Sequence, residues 1–246
     1  MIKKYMGVAF LLGASLFASC SKDSKGTENL TISGKVDGLK QGKVYLFHVQ
    51  DTTFVVLDSL VVDGKSSDFT FKHHLESPEM LFLSLDRGHS NSIDNQLSFF
   101  AEPGTMTIET TLKNFYKDAK IKGSQSNDLY KEYLKSRTMI TDRQNDLYVA
   151  LFEAQKTNNT AQLDSLQEVN KKLTGRLFLN AINFALNNKN SDVAPYIALT
   201  ELYDRNIKYL DTIYNSLTPE VSKHKYGKSL NEFIQERKKE EAKASE

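Results

Sequence analysis

A chain of 246 residues with 32 basic and 31 acidic side chains carries almost no net charge, which removes the cationic surplus that nucleic acids and anionic leaflets select. An apolar fraction of 39% suits a globular body of one or two domains rather than a disordered chain. Cys20 is the only cysteine, so an internal disulfide and a Cys-x-x-Cys redox couple are both excluded.

The first element has the three parts of an export signal. Lys3 and Lys4 form a basic start, Met6 to Phe17 is uncharged and apolar, and Ala18 and Ser19 are the small residues required before a cut. That apolar run is too short to span a bilayer permanently, and no other stretch approaches spanning length. Leu16-Phe17-Ala18-Ser19-Cys20 resembles a lipobox, with Phe17 where the usual pattern has Leu. Residues 1–19 are therefore expected to be a lipoprotein signal peptide cleaved between Ser19 and Cys20. Cys20 would then carry the thioether diacylglycerol and fatty-acyl (palmitate-type) chains of a membrane anchor, each buried methylene contributing roughly 0.8 kcal/mol. Taking Lys3 and Lys4 from the 32 basic residues leaves 30 against 31 acidic ones in the mature chain. Residues 20–29 are small and polar and read as a flexible tether. Ser21-Lys22-Asp23 loosely resembles the surface-export signals of Bacteroidota lipoproteins.

From Leu30 to about Ile121 the chain reads as strands. Leu30–Val36 alternates apolar and polar residues, and Lys43–Val49 follows a turn at Gln41-Gly42. Thr53–Val62 is rich in β-branched residues, Asp63-Gly64 is a turn, and Asp68–Lys72 places Phe69 and Phe71 on one face. Met80–Leu85, Leu97–Ala101 and Thr105–Thr111 complete the set, the last two flanking Glu102-Pro103-Gly104. Short alternating runs punctuated by Gly and Pro predict an antiparallel β-sandwich or small barrel over residues 30–123.

From Ser126 the apolar period becomes that of helices. Leu129, Tyr133, Arg137, Ile140, Gln144, Leu147 and Leu151 define one stripe, widened by Tyr130, Leu134, Tyr148 and Phe152. Thr157-Asn158-Asn159 breaks it. Leu163, Leu166, Leu173, Leu177, Ala181 and Ala185 define a second, ended by Asn187-Asn188-Lys189-Asn190. Ser191 or Asp192 would cap the next helix, with Pro195 in its first turn. Ile207–Leu217 is a shorter helix stopped before Pro219, and Leu230–Lys239 is the last. The charged end from Gln235 is expected to fray or project into solvent. The fold class is α+β, an N-terminal β domain followed by an all-helical domain over residues 124–240 and a disordered tail over 241–246. The aromatic residues of the helical half read as core packing rather than a ligand box.

The order of motifs resembles a known family. Ile32-Ser33-Gly34-Lys35-Val36, Gly42-Lys43-Val44-Tyr45-Leu46, Leu57-Asp58-Ser59, Val62-Asp63-Gly64, Phe69-Thr70-Phe71, Phe99 to Ile108, and Ile121-Lys122-Gly123-Ser124 with Asn127 are similar to the domain of unknown function 4369. This domain forms the N-terminal part of many thioredoxin-like thiol-disulfide oxidoreductase lipoproteins of Bacteroidota, in which a helical region and then a thioredoxin fold follow. The resemblance covers about Leu30 to Ile234. The chain reaches a Lys/Glu-rich helix about where the thioredoxin fold would begin, and it lacks the second cysteine, so the family's catalytic residues have no counterparts here.

Other constellations are weak. His73 and His74, with Glu76 near and His48 and His89 elsewhere, do not make a metal site, because adjacent strand residues face opposite ways. No catalytic residue, metal or cofactor is assigned. Asp58-Ser59 places a carboxylate beside a hydroxyl with no histidine fixed near them, and there is no Gly-x-Ser-x-Gly elbow. Asp51-Thr52-Thr53, Asp58-Ser59-Leu60, Asp164-Ser165-Leu166 and Asp211-Thr212-Ile213 resemble Bacteroidota O-glycosylation acceptors, with Thr52, Ser59, Ser165 and Thr212 as the modified residues.

The expectation is a non-enzymatic lipoprotein of the cell envelope, anchored to the outer membrane and facing the periplasm or the cell surface. It would serve as a binding or interaction module for a small ligand or an envelope protein, and not for nucleic acid. Two alternatives stay open: an accessory or regulator of a separate thioredoxin-like thiol-disulfide oxidoreductase, and a hydrolase whose paired carboxylates meet only in space.

Overall fold

A computed structural model describes residues 27–50, 53–86 and 93–243. The signal peptide, Cys20, most of the tether, Thr52 and His89 lie outside the described residues. Eight strands come first: β1 (Leu30–Asp37), β2 (Gly42–Gln50), β3 (Thr53–Val62), β4 (Asp68–His73), β5 (Glu79–Asp86), β6 (Gln96–Ala101), β7 (Gly104–Thr111) and β8 (Lys120–Lys122). Five helices follow: α1 (Gln125–Lys156), α2 (Thr160–Asn187), α3 (Val193–Glu201), α4 (Ile207–Ser216) and α5 (Lys225–Lys243). The α+β reading is thus the observed architecture.

The strands form two sheets, ordered β4-β1-β7-β8 and β3-β2-β5-β6, so the β domain is a sandwich and not a closed barrel. All neighbours are antiparallel except β1 and β7, which run parallel from Leu30↔Gly104 to Asp37↔Thr111. Alternation puts Ile32, Val44, Leu46, Phe69, Phe71, Leu81, Leu83, Phe99 and Ile108 into one core between the sheets. The turn at Asp63-Gly64 has the left-handed backbone that Gly supplies, with Gly64 at φ 95°.

The second sheet is apolar on both faces. On β5 and β6, Met80, Phe82 and Phe100 point away from the sandwich core and join a second core with Tyr133, Ala194, Ile197, Leu210, Ile213 and Leu230. The helices cover only that half of the face. Phe54, Val56 and Val61 on edge strand β3 remain 64%, 56% and 68% exposed. A bulge between Leu46 and Phe47 leaves Leu57 without a partner on β2 and turns it toward the sandwich core.

The junction is built at the edge of β6. Ser124 caps α1 by accepting from the Asn127 amide at 3.0 Å, while its hydroxyl donates to the Phe100 carbonyl at 2.8 Å. The Asn127 side-chain oxygen accepts from the Phe100 amide at 3.2 Å. The Glu102 carboxylate accepts from the amides of Gln125 and Ser126 at 2.6 and 3.1 Å, meeting the positive end of the helix. The Phe100 ring is then enclosed by Tyr130, Tyr196 and Tyr226, at centroid distances of 6.1, 5.5 and 5.8 Å.

Three expectations need correction. Tyr148 and Phe152 do not widen a buried stripe: the outer part of α1 packs along one seam on α2, and both rings stand more than half exposed. The last helix starts at Lys225, not Leu230. Gly227, which weakens a helix by propensity, is required there because a Cβ would overlap the Val221 carbonyl oxygen and come within 2.7 Å of the Ser222 Cα. That helix also runs past Lys239 to Lys243, its residues 238–243 exposed as expected of a segment projecting into solvent, while 244–246 lie outside the described residues. Arg237 donates to the carbonyls of Tyr203 and Arg205 and pairs with Glu241, and Lys238 reaches Asp211 at 2.7 Å. Among the described residues no helix is long and apolar enough to cross a membrane.

Removing the Phe100 ring (Phe100→Ala) is expected to lower unfolding stability by about 3–5 kcal/mol, whereas Phe54→Thr on the uncovered strand should change it by no more than about 0.5 kcal/mol, both read from urea unfolding curves.

Candidate functional site

The sandwich has an open mouth where β2 and β4 end and β5 begins. The pleat directs His48 and Glu79 inward at this end, because Phe47 and Met80 beside them face the opposite way. His73 follows Phe69 and Phe71 on the inward side of β4, and so approaches from the other sheet. The first turn of α5 closes the mouth. Lys225 Nζ donates to Glu79 Oε2 at 2.6 Å, and His48 Nδ1 sits 3.1 Å from Oε1. The Glu79 side chain is only 10% exposed, so both its oxygens are held by cationic or proton-bearing partners in place of water.

Backbone contacts fix this wall. The Met80 amide donates to the Tyr226 hydroxyl at 2.9 Å, and the Lys225 amide to Ser77 Oγ at 3.3 Å. His224, just before α5, places Nδ1 3.1 and 3.0 Å from the two oxygens of Asp192. Asp192 stands at the cap position of α3 but makes no side-chain cap bond; Ser191 Oγ accepts from the Val193 amide instead. Burial pushes the Asp192 carboxyl above its ordinary range, and the hydrogen bond from His224 opposes this. Burial also raises the phenols behind the wall: Tyr196 is pushed up to about 12, and Tyr130, Tyr133 and Tyr226 move in the same direction. They remain neutral packing groups.

Two open clefts, each of about 560 Å³, flank the loop Glu76–Pro78. The first lies between the sandwich mouth and α5 and gathers His48, His73, His74 and His224 with Lys225 and Lys228. The second is acidic, with Glu76, Glu102, Asp192 and Glu220. Two of those four are committed, Glu102 to the start of α1 and Asp192 to His224.

The sequence separates His48 from the His73-His74 pair, and the structure brings all three to one cleft. His73 and His74 do diverge: His73 faces the mouth, while His74 is exposed and places Nδ1 3.0 Å from the Thr27 carbonyl. Among the described residues no group of three His, Asp or Glu side chains is placed to hold a metal ion. Glu79, Asp192, His224 and Lys225 were missed, and the one available signal was Glu79 as a charged residue directly before the apolar run Met80–Leu83. Asp58 and Ser59 lie exposed on β3, the carboxylate accepting from the Ser59 amide at 2.7 Å. Ser165 on α2 and Thr212 on α4 are exposed too, although the Thr212 hydroxyl donates to the Lys208 carbonyl at 2.7 Å.

Residues 30–130 match the family model described as domain of unknown function DUF4369. The match spans all eight strands and ends inside α1, so it includes Ser124, Asn127 and Tyr130 of the junction. No curated protein and no solved structure matches the chain.

Replacing Lys225 by Met leaves the buried Glu79 carboxylate with His48 alone, and should cost about 2–4 kcal/mol at neutral pH in urea unfolding. His73 titrates below the ordinary histidine value of 6.5, through burial and against the attraction of Glu79. Between the two values the unfolded chain binds more protons than the folded one. Its contribution is therefore whole above about pH 6.5 and lost as pH falls toward the folded value. In buffer free of sulfate and phosphate, His73→Gln should flatten the loss of melting temperature on acidification through that window; a slope equal to wild type would contradict the assignment.

Proposed function

We propose that this chain, whose residues 30–130 carry DUF4369, is a lipid-anchored binding module of the cell envelope that holds a small polar ligand in the histidine-lined cleft and does not transform it. The observation that carries the reading is the cleft itself. It is open, of ligand size, and placed at the meeting of the sheet mouth and the helices, where unlike elements supply convergent polar groups. Its walls are set before any ligand arrives by the Lys225–Glu79–His48 chain and the Tyr226–Met80 bond, which favours binding by lowering the ordering cost.

The chemistry of the groups favours retention over turnover. Glu79 and Asp192 have their oxygens engaged by neighbours. The Ser77 hydroxyl accepts from a backbone amide, and neither histidine–carboxylate pair has a hydroxyl within hydrogen-bond reach among the described residues. Nucleophilic catalysis asks for a base bonded to its nucleophile. The anchor rests on the signal pattern ending at Cys20, which would hold the module at the outer membrane on a short polar leash.

The test has two arms. Intact-mass analysis of native protein extracted from membranes should show a chain beginning at an acylated Cys20, and Cys20→Ala should lose that mass. A panel of small anionic, neutral and cationic compounds, followed by amide chemical shifts, should move the signals of His48, His73 and Lys225 together. An unacylated chain defeats the anchor, and a panel that leaves those amides still at every pH defeats the binding site.

A further inference from the structure

The chain contains five histidines, and four of them line this one cleft, the fifth lying outside the described residues. They arrive from separate places: His48 from β2, His73 from the end of β4, His74 from the loop after it, and His224 from the turn before α5. The permanent charges of the lining balance. Lys223, Lys225 and Lys228 face Glu76, Glu79 and Glu232. Asp192 adds one carboxylate behind His224, and the charge that varies near neutral pH comes from the histidines, which as a residue type change charge between about pH 5 and 8. The neighbouring cleft, with Asp192 and Glu220, has no such compensation by lysine and stays acidic.

Hydrogen bonding sharpens this. His48 spends Nδ1 on Glu79, His74 on the Thr27 carbonyl and His224 on Asp192. Each of these acceptors keeps the proton on Nδ1, so the other ring nitrogen carries a lone pair while the ring is neutral. Among the described residues none of those second nitrogens has a hydrogen-bond partner. On protonation each becomes an N–H donor. The same atoms thus repel a negative oxygen in the neutral cleft and donate to it in the acidic one.

We propose that the cleft is an acid-gated site for a compact oxyanion group, of the sulfate, phosphate or carboxylate kind, carried on a free small molecule or a lipid headgroup. This rests on the binding-module reading and names the ligand class of that site. His73 is half-buried beside Glu79, whose carboxylate is already engaged by Lys225 and His48, so a bound anion adds counter-charge to its protonated form. Ligand binding and proton uptake are consequently linked.

Inorganic sulfate is the probe, because its charge is constant across the range. Calorimetry of the full chain at about pH 5.5 and about pH 8, in two buffers of different ionisation enthalpy, should give binding at least about tenfold tighter in acid, with net proton uptake. Lys228→Gln and His74→Gln, both at exposed positions that leave the fold intact, should each weaken the acid binding several-fold. Sedimentation with phosphatidylglycerol vesicles against phosphatidylcholine vesicles, at the acid pH, separates the sources. Capture by the anionic vesicles that sulfate reverses assigns the group to a lipid phosphate, and sulfate binding without capture assigns it to a free anion. Equal affinity at both pH values, binding without proton uptake, or no sulfate binding in acid would overturn the proposal. If a neutral or cationic compound moves the cleft amides while sulfate does not, the oxyanion assignment falls and the binding module stands.

Discussion

Strand β6 is the edge of its sheet, and an edge leaves backbone donors and acceptors with no ladder partner. At Phe100 that deficit is met from α1, whose Ser124 and Asn127 side chains take the carbonyl and the amide. The exchange is reciprocal, since the same Ser124 oxygen and the nearby Glu102 satisfy amides that the start of a helix leaves free. Two local deficits cancel at one point, and the direction of a 32-residue helix is fixed there. The other helices are oriented through it: α3 and α5 meet the sheet by packing Tyr196 and Tyr226 around the same Phe100 ring. The family match ending a short way into α1 is consistent with this, for the β unit is incomplete without those residues.

The cleft is a by-product of that orientation that the sequence has furnished with chemistry. Once α5 lies across β5, its first turn overhangs the sandwich mouth. A buried acid at Glu79 needs a cation, and Lys225 is the side chain within reach. Removing Lys225 strips the buried Glu79 carboxylate of its cation, whereas Lys225 without Glu79 still reaches water. The same polar cluster therefore welds the layers and shapes the pocket, and stability and binding should respond to the same substitutions at Glu79 and Lys225 but part company at exposed Lys228 and His74.

Much of the architecture was legible because it is written in short-range periods. Thr53–Val62 is read from β-branched content to the residue, and the helix break at Thr157-Asn158-Asn159 coincides with the left-handed Asn158. What could not be read is set by contacts across the chain. Gly227 argues against a helix until the carbonyl of Val221 is seen against it. The parallel pairing of β1 with β7 leaves no local trace, nor does the choice of sandwich over barrel. The site was least visible of all: His48, Glu79 and Lys225 are each ordinary in their own neighbourhoods, and only folding makes them adjacent. The pair His73-His74 is visible in the sequence, but His48 and His224, which join it in the cleft, carry no motif.

Lys225 and Glu79 lie 146 positions apart. Closing so long a loop is entropically slow and is rewarded only at the end. All the strand pairings lie within residues 30–122 and can form while the rest of the polypeptide is still emerging, but the cleft lacks one wall until α5 arrives. A chain clipped before Lys225 would leave the Glu79 carboxylate without its lysine and the mouth without the wall that α5 supplies. The cleft is in this sense a mark of completed synthesis, since it is walled only once the end of the chain is in place.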